Sequence, residues 1–479
     1  MAEPSRRAFL WGAGLCLSGM GVRAEPLRQS LWPPIAPPPR LDDLLSAQAF
    51  SGHVGCLALA GDGRVLAAQS QDQAFAPAST LKIVTALFAL DRLGAGHRFA
   101  TRVLRKGDTL ILAGGGDPVL DSDGLAVLAA RLAALRPEGV RQLLVWDGAL
   151  PHLPQIAPGQ PEYLAYNPAV SGIMLNFNRV ELSWHCQSSC RFELQASAQR
   201  HRPKAWTVSA GLGGGPISHH QTPQGEHWSL PRWMLGQQGR RWLPVRQPAL
   251  YAGDVFQTLC RARGLGLPRP EVVTELPEGD ELARIDSVPL SDILRDMLAY
   301  STNLTAEAVG LAASGAPDLA ASGRAMRDWA AGQGAQGLVC ADHSGLSAQS
   351  RVTARAMVAL LEGAGRRQGL AGLLKSGAVW PKAASGWAGA GLLAKTGTLN
   401  FVSNLAGYVQ AGGDMAVFAI FCTDPLRHRE SSGRDLPGGV LGWTGAAKAM
   451  QQQMVDSWAM ALSRRQRQAV TPPLPEGAG

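Results

Sequence analysis

Three short polar motifs lie far apart in this 479-residue chain, and their spacing limits the fold more than any other feature. A Ser-x-x-Lys stretch occupies residues 79–82, a Ser-x-Asn stretch 301–303, and a Lys-Thr-Gly-Thr stretch 395–398. Roughly 220 residues separate the first two motifs, which is room for whole domains. If the motifs share one cleft, the chain has to leave it after the first motif, fold elsewhere, and return for the other two.

The first motif pairs a serine and a lysine at the start of a predicted helix. Ser79 and Lys82 lie one turn apart in a helical pattern that runs to about Leu93, so their side chains share a face. A neutral lysine amine can accept the proton of a serine hydroxyl, which is a poor nucleophile alone. The same spacing also fits an N-cap serine with a solvent-facing lysine. Lys82 is, however, the only lysine of the chain with a serine three residues before it.

The second motif follows a helical pattern over residues 291–298 and is predicted to form a short turn. On such a turn the Ser301 hydroxyl can relay a proton, and the Asn303 amide can hold a peptide carbonyl. Taken alone, the motif also fits a polar turn between two helices.

The third motif lies inside an apolar strand pattern over residues 392–399. Lys395, Thr396 and Thr398 together suit a carboxylate ligand. Gly397 between them is expected to let a substrate backbone approach closely. The alternative is an edge-strand lysine that prevents aggregation, which does not explain the flanking Thr-Gly-Thr.

In this order the motifs resemble the Ser-x-x-Lys, Ser-x-Asn and Lys-Thr-Gly set of penicillin-binding proteins and serine β-lactamases. The long first interval is similar to that of class C low-molecular-mass penicillin-binding proteins, the D-alanyl-D-alanine carboxypeptidase/endopeptidases of the penicillin-binding protein 4 type. The stretches Gly-Gly-Asp-Pro at 115–118, Asp-His-Ser-Gly-Leu-Ser at 342–347 and Arg-Val-Thr at 351–353 also resemble that family. Thr302 stands where the family often carries Asp.

The resemblance implies an α+β multi-domain fold. A penicilloyl-serine transferase (β-lactamase-like) domain, an antiparallel sheet with helices on both sides, would be split by an inserted α/β domain that carries a small β-rich domain. The predicted bounds are 25–100 and 285–468 for the transferase domain, 101–174 and 248–284 for the α/β domain, and 175–247 for the β-rich insertion. Short strands alternating with a helix after residue 101, and short alternating stretches after residue 175, agree with this order.

The same resemblance implies a serine-type D-Ala-D-Ala carboxypeptidase and DD-endopeptidase that cleaves peptidoglycan stem peptides and is covalently inhibited by β-lactams. Ser79 would form the acyl-enzyme, and Lys82 would be its base, kept neutral by repulsion from the positive charge of Lys395. Ser301 would relay a proton, Asn303 would hold the peptide, and the third motif would bind the terminal carboxylate. No cofactor or metal is expected. A serine β-lactamase and a catalytically silent murein-binding protein remain alternatives.

Residues 1–24 resemble a twin-arginine-type signal peptide, because Arg6 and Arg7 precede an apolar stretch over residues 9–22. A small residue, Ala24, ends the segment, so a periplasmic enzyme beginning near Glu25 is expected. Residues 31–39 are expected to form a stiff Pro-rich linker, and residues 469–479 a disordered tail.

Charge and cysteine content restrict the partners further. The net charge of +8 suits anionic partners such as stem peptides or phospholipid surfaces. Nucleic acid is not expected, because no helix-turn-helix pattern, zinc-finger spacing or basic stretch with interleaved aromatics occurs. Cys186 and Cys190 are predicted to form a small hairpin disulfide, with free buried thiols elsewhere, and a zinc site would need a second close pair. The oligomeric state stays open.

Overall fold

The computed structural model describes residues 41–46, 50–376 and 391–470. The predicted signal peptide, the Pro-rich linker and the last nine residues of the predicted tail lie outside the described residues. In the described part of the chain the strands are β1 (His53–Leu59), β2 (Val65–Gln69), β3 (Ala100–Lys106), β4 (Thr109–Ala113), β5 (Gln142–Trp146), β6 (Arg179–Cys186), β7 (Cys190–Gln195), β8 (Val208–Gly213), β9 (Ser218–Thr222), β10 (Gly225–Pro231), β11 (Gln238–Pro244), β12 (Pro270–Val273), β13 (Asp280–Asp286), β14 (Gly391–Leu399), β15 (Val402–Ala411) and β16 (Asp414–Thr423). The α-helices are α1 (Leu41–Ser46), α2 (Leu81–Leu93), α3 (Ser122–Ala134), α4 (Pro248–Arg261), α5 (Leu290–Tyr300), α6 (Asn303–Ser314), α7 (Leu319–Gly332), α8 (Ala354–Leu360), α9 (Pro425–Glu430) and α10 (Val440–Val470).

Strands from both ends of the chain form one five-stranded antiparallel sheet in the order β14-β15-β16-β1-β2. Its central strands are buried on both faces because helices cover both sides. Alternation along β16 directs Val417 and Phe421 toward the layer that contains α2, and Phe418 and Ile420 toward α10. Each such burial stabilises the fold by roughly 1.5–3 kcal/mol. The predicted antiparallel sheet with helices on both sides is therefore confirmed.

A second five-stranded sheet, in the order β12-β5-β4-β3-β13, is built from the chain between the first two motifs. β4 and β5 are parallel and are connected through α3, whereas β3 pairs antiparallel with β4 and β13. Asp121 caps α3 by accepting a hydrogen bond from the Gly124 N–H at 2.8 Å. α3 and α4 pack against this sheet through a shared apolar core, in agreement with the α/β character predicted for this stretch.

The chain between β5 and α4 forms two small sheets, β11-β6-β7 and β8-β10-β9. Cys186 pairs with Cys190 across the β6–β7 turn, and a disulfide joins them, as predicted. The cysteines at positions 56, 260, 340 and 422 are free and buried, also as predicted. The strands agree with the β-rich texture of this stretch, while the domain boundaries themselves remain predictions.

The Ser-x-Asn motif lies at a break between two helices. α5 ends at Tyr300, Ser301 adopts a left-handed conformation with φ of 60° and ψ of 40°, and α6 begins at Asn303. The predicted short turn is therefore confirmed. No helix among the described residues is both long enough and apolar enough to span a bilayer.

Candidate active site

The nucleophile candidate lies on a strained turn that two strands support. Ser79 belongs to a single 3-10 turn (Ala78–Thr80) that leads into α2, and Ala78 has a φ of 46°. The buried Asn404 amide of β15 donates hydrogen bonds to the carbonyl oxygens of Ala76 and Pro77, at 2.8 Å each. The Asn404 side chain therefore links β15 to the turn that carries Ser79.

Gly397 of β14 makes room for this turn. A Cβ atom at position 397 would lie 2.8 Å from the Pro77 oxygen and 3.0 Å from the Ser79 nitrogen, so a larger residue would separate the strand from the turn. The sequence predicts that this glycine admits a substrate backbone. The structure shows that the main chain of the nucleophile turn occupies the space beside it.

Lys82 connects the first two motifs. Its Nζ atom lies 3.0 Å from Ser79 Oγ, 2.9 Å from Asn303 Oδ1 and 2.8 Å from the Ser344 carbonyl oxygen. The side chain is 0% exposed, which rules out the alternative of a solvent-facing lysine after an N-cap serine. Serine and lysine are therefore placed for direct proton transfer.

Burial makes Lys82 a usable base. It lowers the pKa of the ammonium to about 8, although the carboxyl groups of Glu307 and Asp342 act in the opposite direction. A neutral amine is thus accessible near neutral pH. The family resemblance implies like-charge repulsion from Lys395 as the cause of this effect, whereas burial is its largest cause in the structure.

Lys395 connects the second and third motifs. Its Nζ donates to Ser301 Oγ at 3.0 Å and to the Thr396 carbonyl oxygen at 2.7 Å. Burial lowers its pKa well below the ordinary value, and the charges of Lys82 and Lys375 lower it further. The structure thus brings together the five residues predicted to be catalytic, at positions 79, 82, 301, 303 and 395.

The third motif lies on an edge of the first sheet. Among the described residues, β14 pairs with β15 on one side and carries on the other side a single bridge between Ser376 and Leu393. Residues 395–398 lie beyond that bridge, with Thr396 half-buried and Thr398 exposed. An extended ligand can therefore add to this edge as a further strand.

Sequence reasoning missed several residues of the site. Glu307 follows Asn303 by one helical turn on the same face of α6, a spacing that could have identified it. Asp342 and Ser344 lie in a stretch that supported the family resemblance but received no role. Tyr166, from the segment predicted as the inserted α/β domain, accepts a 3.0 Å hydrogen bond from Asn303 Nδ2 through its carbonyl oxygen.

A serine in contact with a buried lysine, beside a Ser-x-Asn turn and a Lys-Thr-Gly edge strand, is the arrangement typical of penicillin-binding proteins and serine β-lactamases. The sequence profile of the D-Ala-D-Ala carboxypeptidase 3 (S13) family matches residues 39–444. The chain belongs to this family and is a peptidase.

Individual relatives support the assignment. A D-alanyl-D-alanine carboxypeptidase from Actinomadura sp. (strain R39) is 27% identical over 461 residues, which cover 86% of this chain and 84% of the relative. The structure of penicillin binding protein 4 from Haemophilus influenzae superimposes with a TM-score of 0.69 at 20% identity, over 88% of this chain and 99% of that one. A predatory endopeptidase from Bdellovibrio bacteriovorus has a TM-score of 0.52 at 14% identity, over 86% and 94% of the two chains. The predicted fold class is therefore confirmed.

Proposed function

We propose that this peptidase removes the terminal D-Ala from peptidoglycan stem peptides through an acyl-enzyme on Ser79, and that it also cleaves DD-cross-links. β-Lactams would acylate the same serine and inhibit the enzyme. The observation that carries the proposal is the 3.0 Å contact between Lys82 Nζ and Ser79 Oγ in a buried, connected site. The name of the Actinomadura relative and a complex of the Haemophilus protein with a β-lactam support the substrate and the inhibitor class.

Acylation begins with proton transfer. Neutral Lys82 accepts the Ser79 proton, and Ser79 Oγ attacks the carbonyl carbon of the penultimate D-Ala. The N–H groups of Ser79 and Thr398 would stabilise the resulting oxyanion, a contribution of about 3–4 kcal/mol per donor in comparable sites. Asn303, already bonded to Lys82, would hold the peptide on the other side of the cleft.

Release of D-Ala uses the second pair of polar groups. Ser301, which accepts a hydrogen bond from Lys395, would pass a proton to the leaving amine. The substrate carboxylate would bind to Lys395, Thr396 and Thr398. Because burial disfavours the charged form of Lys395, a bound carboxylate supplies the partner that makes this charge favourable. Water then hydrolyses the acyl-enzyme.

Endopeptidase activity requires the cleft to accept a second peptide in place of free D-Ala. The outer edge of β14 favours this, because among the described residues no strand pairs with it alongside residues 395–398, so an extended ligand can lie there. We also propose that the enzyme acts in the periplasm, on the basis of the twin-arginine-type pattern in residues 1–24. Fractionation of cells that express the full chain tests this location, and recovery of uncleaved protein in the cytoplasm would contradict it.

The decisive experiment measures the intact mass of the protein after incubation with penicillin. We expect one penicilloyl adduct on the wild type and none on Ser79→Ala. Ser188→Ala, which alters an exposed serine in the β6–β7 turn, is the matched control and should be acylated like the wild type. Digestion of pentapeptide muropeptides and of cross-linked dimers then measures the two peptidase activities.

Other outcomes separate the remaining alternatives. Absence of an adduct on folded protein that binds muropeptides without cleaving them would indicate a silent murein-binding protein. Rapid destruction of the drug would indicate a β-lactamase.

A further inference from the structure

Two carboxyl groups lie buried behind the catalytic lysine. Glu307 and Asp342 are both 0% exposed, although unpaired carboxylates are expensive to bury. The two Glu307 oxygens accept hydrogen bonds from the N–H groups of His343 and Ser344, at 2.9 Å each. Asp342 accepts hydrogen bonds from the Ser350 hydroxyl at 2.6 Å and from the Ser347 N–H at 2.8 Å, with a longer one from the Ser344 hydroxyl.

Ser344 joins this pair to the base. Its N–H donates to Glu307, its hydroxyl donates to Asp342, and its carbonyl oxygen accepts a hydrogen bond from Lys82. The next residue, Gly345, has a φ of 75°, and a Cβ there would lie 1.8 Å from the Ala78 oxygen. The loop held by the two carboxyl groups therefore lies directly against the nucleophile turn.

We propose that Glu307 and Asp342 form a positioning pair for acylation: they hold the Ser344 carbonyl against Lys82, and their negative charge balances the charge that Lys82 acquires from the Ser79 proton. This inference rests on the proposed acyl-enzyme function. The step moves one proton from Ser79 Oγ to Lys82 Nζ. Burial raises the pKa of both carboxyl groups, that of Glu307 to about 8, and the positive charge of Lys82 acts in the opposite direction, so the new ammonium favours their ionised form.

The groups that surround Lys82 come from several elements. Ser79 lies on the preceding turn, Asn303 and Glu307 on α6, and Asp342 in the loop. Lys395 on β14 is a further buried lysine among the described residues, and its pKa is lowered first by burial and then by the charge of Lys82. Burial alone would lower the pKa of Lys82 below its value of about 8, and the negative charges of the two carboxyl groups raise the pKa to that value.

The sign of the effect follows directly. Acylation needs neutral Lys82, so its rate rises as pH passes through the pKa of that group. Removing a negative charge lowers this pKa, so the acid limb of the pH profile moves to lower pH. The amine also becomes a weaker base, and the maximal rate falls.

The test is the pH dependence of acylation by a chromogenic penicillin in the full-length protein. We expect Glu307→Gln and Asp342→Asn each to move the acid limb down by about one pH unit, the lower end of the effect of a close opposite charge. The maximal rate should fall about tenfold or more, because the Ser344 carbonyl loses part of its support. Glu307→Asp retains the charge and should lose rate while its acid limb stays near that of the wild type.

Asp117→Asn is the matched control. Asp117 is also buried, and burial raises its pKa to about 7, but it accepts its hydrogen bond from the Val119 N–H in the loop after β4. The acid limb of the pH profile of Asp117→Asn should coincide with that of the wild type. The inference would be overturned if the acid limb of the pH profile of Glu307→Gln stayed in place or moved to higher pH. If Glu307→Gln does not fold, the same result in Asp342→Asn would overturn it. Failure of the wild type to be acylated would instead contradict the proposed function.

Discussion

Asn404 shows how much of the site depends on a residue that takes no part in the chemistry. Its amide bonds two consecutive carbonyl oxygens before the nucleophile, and its own oxygen accepts a 3.3 Å hydrogen bond from the Cys422 N–H. It thus ties two strands of the sheet to the turn that carries Ser79.

Replacing Asn404 with alanine should therefore weaken both the fold and the reaction. Asn404→Ala removes the donor of the buried Ala76 carbonyl group, while the Pro77 carbonyl group keeps its hydrogen bond from the Thr80 hydroxyl at 2.6 Å. The unpaired Ala76 carbonyl costs about 1–3 kcal/mol of the free energy of unfolding. Acylation should also slow, because the turn is no longer fixed. Urea unfolding and the acylation rate measure the two effects.

Asn400→Ala is the control for this substitution. Asn400 donates one exposed hydrogen bond, to the Arg434 carbonyl oxygen, so its removal should change the free energy of unfolding by less than about 0.5 kcal/mol. Equal stability of the two variants would show that the Asn404 amide does not support the turn.

The residues that could be predicted are those whose chemistry is unusual for their local pattern. A lysine inside an apolar strand and a Ser-x-x-Lys helix start both stand out in the sequence. Asn404 does not, because an asparagine in a strand pattern resembles a turn residue until its partners are known. Glu307 resembles an ordinary helix surface residue, since burial of a helix on all sides depends on the tertiary fold.

At the scale of elements, the close approach of β14 to the nucleophile turn decides whether the three motifs act together. The strand brings Lys395 to Ser301, and Gly397 allows the strand to reach the turn. Strands can be predicted well from the sequence where a long apolar pattern marks them, as it does in β14. In β15 the apolar pattern indicates a strand over residues 405–408 only, whereas the strand runs from Val402 to Ala411, because Ser403 and Asn404 interrupt the pattern.

A larger residue at position 397 should slow acylation strongly while the protein stays folded. In Gly397→Ala, the added Cβ would lie 2.8 Å from the Pro77 oxygen, and this contact can be relieved by moving β14 away from the turn. We expect a loss of about 1–3 kcal/mol in the free energy of unfolding, as in other overpacked sites, and at least about a hundredfold slower acylation.

The same strand supplies the control for that substitution. At Gly391 the nearest atom to an added Cβ is the end of the Gln410 side chain, at 3.3 Å, which can move. Gly391→Ala should therefore be acylated at the rate of the wild type. If Gly397→Ala is equally active, the contact between β14 and the nucleophile turn does not control the reaction.

At the scale of the whole molecule, the chain between the first two motifs builds three further sheets but contributes few groups to the site. The order of segments could be predicted, because the long interval between motifs requires an excursion and the texture of the sequence changes along it. The contact of the Tyr166 carbonyl with Asn303 could not, because a main-chain contact leaves no mark on residue type.

This arrangement predicts that the disulfide stabilises its hairpin without affecting catalysis. Cys186 and Cys190 are four positions apart in the sequence. Closing a loop of this length stabilises the folded state by about 2 kcal/mol, because the unfolded chain loses conformational entropy. The double variant Cys186→Ser/Cys190→Ser should unfold at a lower temperature and be acylated at an unchanged rate. The wild type in reductant should behave like the variant, whereas reductant should leave the variant itself unchanged. Because the hydrogen bonds of Lys82 and Lys395 involve no residue of the β6–β7 hairpin, a change in acylation rate would show that the small sheets act on the site from a distance.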